Sequence, residues 1–231
     1  MKNIVILVCS DFEWKVVRGR FKEEILKESP YGNWFVHDPA KNKNTRKVIW
    51  LKSGWGKIGS AGATQYVINK WNPDLIINIG TCGGFRGKID LYEIVLIKKT
   101  IVYDMNDFIG TVGKSIKYYT TNIHLSWLKN RTFLKLPKEV MVTGDQDLAP
   151  ERLPELYEKY KGVVGDWESG SISWICKMNG TKLLILRGVS DLVGSDNNPA
   201  YNEDEKDFLK GVKIVMPKLI DITTDFLAQI A

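Results

Sequence analysis

Glu13, Asp147 and Asp191 each follow a run that reads as a strand, and Glu168 opens a helix just after another. Carboxylates gathered in this way suit work on a glycosidic bond. One, protonated, assists the leaving group, while an ionised partner on the other side of the bond activates water against an oxocarbenium-like centre. The two must have their pKa values separated by their surroundings. Histidine chemistry has little to draw on, since His37 and His124 are the only two histidines and neither stands in a telling setting. A Ser-His-Asp triad or a histidine-rich zinc site is therefore not indicated. Taken singly, each acid also has a plainer reading: Glu13 and Glu168 as first-turn helix acids, Asp191 as a turn former after a strand.

The stretch 74–85, DLIINIGTCGGF, organises the elements that must position these groups. Leu75, Ile76, Ile77 and Ile79 make an unbroken apolar run, the pattern of a strand covered on both faces. Gly80, Gly83 and Gly84 read as a sharp turn that brings backbone amides close to a small molecule. Further strands are predicted over 3–8, 48–52, 94–97, 101–103, 140–143, 163–164 and 183–189, with a short one at 34–36 inside a polar loop, 28–44. Helices are predicted from 13 to about 26, from 58 to 71, near 122–128, over 151–160 and over 166–178, with Asp166 as the N-cap of the last of these. A closing helix carries Phe208, Val212, Val215, Leu219, Ile222 and Phe226 at helical spacing, bent or broken near Pro217. The segment 104–117 reads as mobile, and a polar loop runs to 202.

Strands and helices alternate without an internal repeat. The expectation is a single α/β domain over 1–231, with a central mixed β-sheet flanked by helices on both faces. Such sheets bind ligands beyond the carboxyl ends of their strands, so Glu13, Thr81, Asp147, Glu168 and Asp191 can share one pocket.

Composition narrows the partners. The 231 residues carry a net charge of +6 at pH 7, but the basic residues are spread along the chain and mixed with acids. No basic helix or basic–aromatic run makes a nucleic-acid footprint. Apolar runs are strand-length, far short of the roughly 18 residues of a membrane span, and no signal peptide is visible. Neither nucleic acid nor membrane is therefore expected as a partner. Cys9, Cys82 and Cys176 form neither a paired framework nor a metal spacing, which fits a reducing cytoplasm and no bound metal. Cys82 lacks an adjacent histidine or lysine to depress its pKa and reads as a small packing residue rather than a nucleophile. The segment SGWGK (53–57) lacks the glycine spacing and the following Ser or Thr of a nucleotide-binding P-loop.

INIGTCGGF (77–85), GDWESGSISWI (165–175) and LRGVSDLV (186–193) resemble the signature segments of the nucleoside phosphorylase and nucleosidase superfamily. Within it they are most similar to the methylthioadenosine and S-adenosylhomocysteine nucleosidases, and the match runs in order through nearly the whole chain. The resemblance implies a phosphorylase/hydrolase-like fold, a purine nucleoside as small-molecule partner, no cofactor, a homodimer and a setting in methionine salvage. It implies Asp191 as the general acid that hands a proton to the purine ring, and Glu13 as the carboxylate that positions and deprotonates the attacking water. Glu168 matches the glutamate that accepts hydrogen bonds from the ribose hydroxyls, with Trp167 packed under the sugar. Thr81, Cys82 and Gly83 would border ribose and base, the backbone at Leu148 would face the base edge, and Ser190 pairs with Asp191. Trp14, Trp50 and Trp127 are candidates for the dimer interface.

The pattern also departs from the family. Phosphorylases of this superfamily usually bring arginines to hold phosphate, at places that here read CSDFE (9–13) and Asn78, so hydrolysis is expected over phosphorolysis. The family's Ala-Met-x-x-Glu reads Cys9-Ser10-Asp11-Phe12-Glu13. Trp55 replaces a smaller aliphatic residue, Trp167 a methionine, and Asp147 a phenylalanine that stacks on adenine in bacterial members. These changes point to a reshaped pocket for a compact or polar 5′ substituent. A phosphate-dependent phosphorylase and a non-catalytic nucleoside-binding or storage protein of the same fold remain as alternatives.

Overall fold

β1 (Ile4–Val8) is apolar at every position because it is covered twice: Ile4, Ile6 and Val8 join one hydrophobic core, and Val5 and Leu7 join another on the opposite face. Successive strand side chains point to opposite faces, so a strand between two helical layers needs no polar position. The computed structural model describes residues 3–230 except 39–47, 108, 110, 112, 130–132, 134 and 195–205. Much of the expected polar loop up to 202, and parts of 28–44 and 104–117, thus lie outside the described residues.

After β1 come α1 (Asp11–Arg20), β2 (Trp34–His37), β3 (Val48–Lys52), α2 (Gly56–Trp71), β4 (Leu75–Phe85), β5 (Ile94–Val102), α3 (Lys114–Tyr118), β6 (Thr121–Asn122) and β7 (Lys138–Thr143). A 3-10 turn at Pro150–Arg152 leads into α4 (Leu153–Tyr160), β8 (Val164–Asp166), α5 (Ser169–Met178), β9 (Lys182–Val193) and α6 (Lys206–Ile230). Residues of α1 and α6, among them Trp14, Val17, Val212, Met216 and Leu219, fill the core on one face; Ala63 and Val67 of α2 with Ile172 and Cys176 of α5 fill the other. The α/β class, the mixed sheet and the helices on both faces stand as expected.

The sheet is not an open fan. β3, β1, β4 and β9 run parallel, while β4 also pairs with β8, β8 with β7, β7 with β5, and β5 with β9. β4, β8, β7, β5 and β9 therefore close a ring of pairings, and β4 belongs both to the flat part and to the ring.

Several local expectations are corrected. β4 does not turn at its glycines but continues as strand to Phe85, held by β9 along its length. β9 likewise runs through Ser190 and Asp191 rather than stopping before them. The runs 94–97 and 101–103 are parts of one strand, and the helix expected near 122–128 is replaced by the short strand β6 followed by turns. α1 stops at Arg20, well before residue 26. α5 opens at Ser169, with Glu168 as its N-cap residue, while Asp166 ends β8. α6 passes Pro217 as one continuous helix. Trp14 and Trp50 are buried in the core under Phe35, and Trp127 packs against the same core, so the first two are unavailable to a partner.

Candidate active site

Glu13 is fixed from both sides of its carboxylate. Ser10 caps α1, its hydroxyl accepting from the Phe12 amide at 3.1 Å, and Glu13 completes the capping box by accepting from the Ser10 amide at 3.2 Å through Oε2. Its Oε1 accepts from the Thr81 amide at 2.5 Å and the Thr81 hydroxyl at 2.8 Å. Residue 80 has to be glycine for this approach, since a Cβ there would stand 2.9 Å from Oε1. The glycine expected to bend the chain thus serves instead to admit a side chain. Burial pushes the Glu13 carboxyl above its ordinary range; the Arg187 guanidinium and the bonds from Thr81 and Ser10 pull against that rise.

Asp191 reaches the same strand two to three residues further on. The register between β4 and β9 passes from Cys82 opposite Val189 to Gly83 opposite Asp191, leaving Ser190 as an extra residue. Such a bulge re-aims the side chain that follows it. Here it brings Asp191 Oδ2 to 3.6 Å from where a Cβ on Gly83 would stand, beside the Leu148 side chain at 3.3 Å. Ser190 Oγ lies 2.6 Å from Asp191 Oδ1 and 3.2 Å from the Cys82 carbonyl. A hydroxyl has one proton, so it can serve an ionised Asp191, or accept from a protonated one and turn its own proton to the carbonyl. Burial pushes the Asp191 carboxyl up, the Ser190 bond opposes this, and the negative charge of Asp147 adds to it.

Glu168 accepts from the Gly56 amide at 2.9 Å through Oε1, and its other oxygen accepts nothing among the described residues. Burial and the neighbouring Asp166 charge push its carboxyl up to about 8, against the pull of the Gly56 bond. The Glu13 charge adds to the rise at Glu168.

Sequence reasoning missed the buried cation whose charge reaches Glu13 and Glu168. Arg187, 2% exposed, pairs with Asp166 at 2.9 Å and donates to Asn78 Oδ1 at 2.5 Å and Ser169 Oγ at 2.8 Å. It sits inside the apolar run of β9, where nothing local marks it. The signal was the pairing of a strand-interior arginine with a strand-interior asparagine, since neither is buried without a partner. Asn78 is fully used: its amide also donates to the Leu7 carbonyl at 3.0 Å.

The remaining expected site residues divide. Thr81 and Gly83 face the two carboxylates directly, and Ser190 touches Asp191. Leu148 is buried with its side chain against Gly83 and Gly165. Cys82, expected to border ribose and base, turns its thiol into the core toward the Gly188 carbonyl, so only its backbone faces the site. Burial pushes that thiol well up, which removes thiolate chemistry. Trp167 and Trp55 are 36% and 54% exposed, each adjacent in sequence to a partner in the Gly56–Glu168 bond. Among the described residues no cluster of His, Cys, Asp and Glu is arranged to hold a metal ion, and no helix is long and apolar enough to cross a membrane.

The family model of the phosphorylase superfamily matches residues 4–227. A 5′-methylthioadenosine/S-adenosylhomocysteine nucleosidase from Buchnera aphidicola subsp. Acyrthosiphon pisum (strain APS) is 31% identical over 192 residues, covering 76% of this chain and 82% of the relative. The enzyme of the same name from Bacillus pumilus is 26% identical over 213 residues, 87% of this chain and 90% of the relative. Among solved structures, apo 5′-methylthioadenosine nucleosidase from Arabidopsis thaliana superposes with a TM-score of 0.78 at 20% identity, over 98% of this chain and 96% of that one.

Proposed function

The chain belongs to the phosphorylase superfamily, among its nucleosidases, and on that footing we propose that it hydrolyses the N-glycosidic bond of a purine nucleoside to free base and sugar. The observation that carries the reaction is the placement of two buried carboxyls along residues 80–83 of β4, one with three donors and the other with one among the described residues.

Glu13 is the base. Three donors and a nearby guanidinium favour its ionised form, and from that state it takes a proton from the water that attacks the anomeric carbon. Asp191 is the acid. Burial and the Asp147 charge favour its protonated form, and that proton passes to the purine ring as the bond breaks, because a purine anion is a poor leaving group. The open oxygen of Glu168 accepts the ribose hydroxyls, Trp167 packs beneath the sugar, Thr81, Cys82 and Gly83 line it through their backbones, and the Leu148 backbone faces the base edge.

Water rather than phosphate is the co-substrate in this reading. Asn78 stands where an anion-holding arginine would be needed, and its side chain is spent on Leu7 and Arg187. Arg187 is neutralised by Asp166, and a phosphate beside Glu13 would meet a carboxylate. Methylthioadenosine, S-adenosylhomocysteine or a related adenosine or inosine derivative is the substrate class, with Asp147, Trp55 and Trp167 reshaping the pocket for a compact or polar 5′ group. Buried free thiols fit a cytoplasmic setting, and the exposed Trp55, Ile58 and Tyr118 fit a homodimer.

Purine nucleosides incubated with the protein, with and without phosphate, test the proposal. Base release without phosphate is expected. Release only with phosphate makes the protein a phosphorylase, and no release makes it a binding protein. Methylthioadenosine turned over as well as adenosine and inosine, or better, would remove the reshaped pocket.

A further inference from the structure

The motif that fails as a P-loop has a use that the proposed reaction leaves unassigned. The first two amides of α2 each hold a carboxylate: Gly56 donates to Glu168 at 2.9 Å, and Lys57 donates to Asp145 Oδ1 at 2.8 Å. The Lys57 ammonium then reaches back to Asp104 at 2.5 and 2.6 Å and lies 3.5 Å from Asp145 Oδ2. The Asp145 amide closes the loop by donating to Asp104 at 2.9 Å. Asp104 and Asp145 follow the ends of β5 and β7, so one partly buried ammonium joins two strand ends to the start of α2.

Two acids this close repel each other unless a cation stands between them, and the bond from the Asp145 amide to Asp104 depends on both staying in place. Without the ammonium, Asp145 has reason to leave the Lys57 amide, and the first turn of α2 loses the cap that fixes it. The Gly56 amide is the sole donor to the Glu168 side chain among the described residues, and it belongs to that turn. The backbone of Glu168 is held separately, by Ser171 Oγ at 2.8 Å, so the clamp bears on the side chain rather than on the fold of α5.

We infer that Lys57 is a positioning residue for sugar recognition: through Asp104, Asp145 and the first turn of α2 it aims the Glu168 carboxylate at the hydroxyls of a ribose. This rests on the nucleosidase reading.

Steady-state kinetics of Lys57→Met on methylthioadenosine, with free adenine as a competing ligand, tests it. KM is expected to rise about tenfold while kcat changes less than about threefold, because an interaction made equally in ground and transition states is what weakens. The adenine inhibition constant stays put, since adenine has no sugar for Glu168 to hold. Lys57→Arg restores most of the loss, and in a Glu168→Gln background Lys57→Met adds nothing further. Asp104→Asn, which keeps the shape of the clamp, gives a smaller rise in KM and serves if Lys57→Met does not fold. An unchanged KM, an equal loss of adenine binding, or full additivity with Glu168→Gln each overturns the inference. If the unaltered protein releases no base, the nucleosidase reading fails instead, and the clamp is judged by methylthioadenosine binding, which Lys57→Met must then weaken selectively over adenine.

Discussion

The two ends of the candidate site use one residue chemistry in opposite ways. At the Glu13 end, the carboxylate has three donors, sits in the first turn of a helix whose dipole favours negative charge, and feels the Arg187 guanidinium. At the Asp191 end a single hydroxyl among the described residues bonds the carboxyl, and the charge that reaches it is that of another acid, Asp147. Burial raises both groups. What separates them is what opposes the rise, so in the proposed reaction the division into base and acid comes from the neighbours and not from the side chain.

The most drastic way to break this contrast is to remove the cation. Arg187→Met leaves Asp166 buried and unpaired, and is expected to cost about 3–5 kcal/mol of stability, read by denaturant unfolding. A variant as stable as the parent would mean that Arg187 does not organise the Glu13 end. Next come the two acids themselves: Glu13→Gln and Asp191→Asn should each lower kcat at least about a hundredfold in a base-release assay. If one variant keeps nearly full activity, that end of the site has no proton to move.

A smaller effect sharpens the Asp191 end alone. Gly211 of α6 lies so near β9 that a Cβ would stand 2.2 Å from the Ser190 carbonyl oxygen. Gly211→Ala should therefore push α6 away at a cost of about 1–3 kcal/mol, and lower kcat more than it raises KM, because the bulge that aims the acid shifts with it. The gentlest change is Asp147→Asn. Removing that charge lowers the Asp191 pKa, so the acid loses its proton at lower pH and the alkaline fall in the rate begins earlier. The move should stay under about one pH unit, since Asp147 is solvent-exposed and screened by salt. The limb set by Glu13, where the rate climbs as that carboxyl ionises, should not move.

Much of this arrangement was legible in the sequence for a simple reason. Residues at the ends of apolar runs must gather at one edge of a parallel sheet, and Glu13, Thr81, Glu168 and Asp191 did so. What escaped depends on contacts between distant positions. Arg187 and Asn78 are 109 positions apart and look out of place singly; only strand pairing makes them partners. The glycines of β4 were read as a bend because glycine permits one, whereas the structure uses the missing Cβ of Gly80 to admit Glu13. The closure of the sheet through β8, β7 and β5 rests on pairings as short as two residues, Gly83 with Gly165 and Gly84 with Val164, which leave no periodic trace.

The extra residue at Ser190 sets a parity. A strand side chain points to one face or the other, with nothing between, so the direction of Asp191 is a two-valued property fixed by a count of residues. Gradual drift in packing cannot weaken it by degrees. Excision of Ser190 would restore unbroken pairing and leave Asp191 opposite Gly83 on the same face, whereas one further residue inserted after Val189 and absorbed by regular pairing would set the acid opposite Gly84 and turn it to the far face.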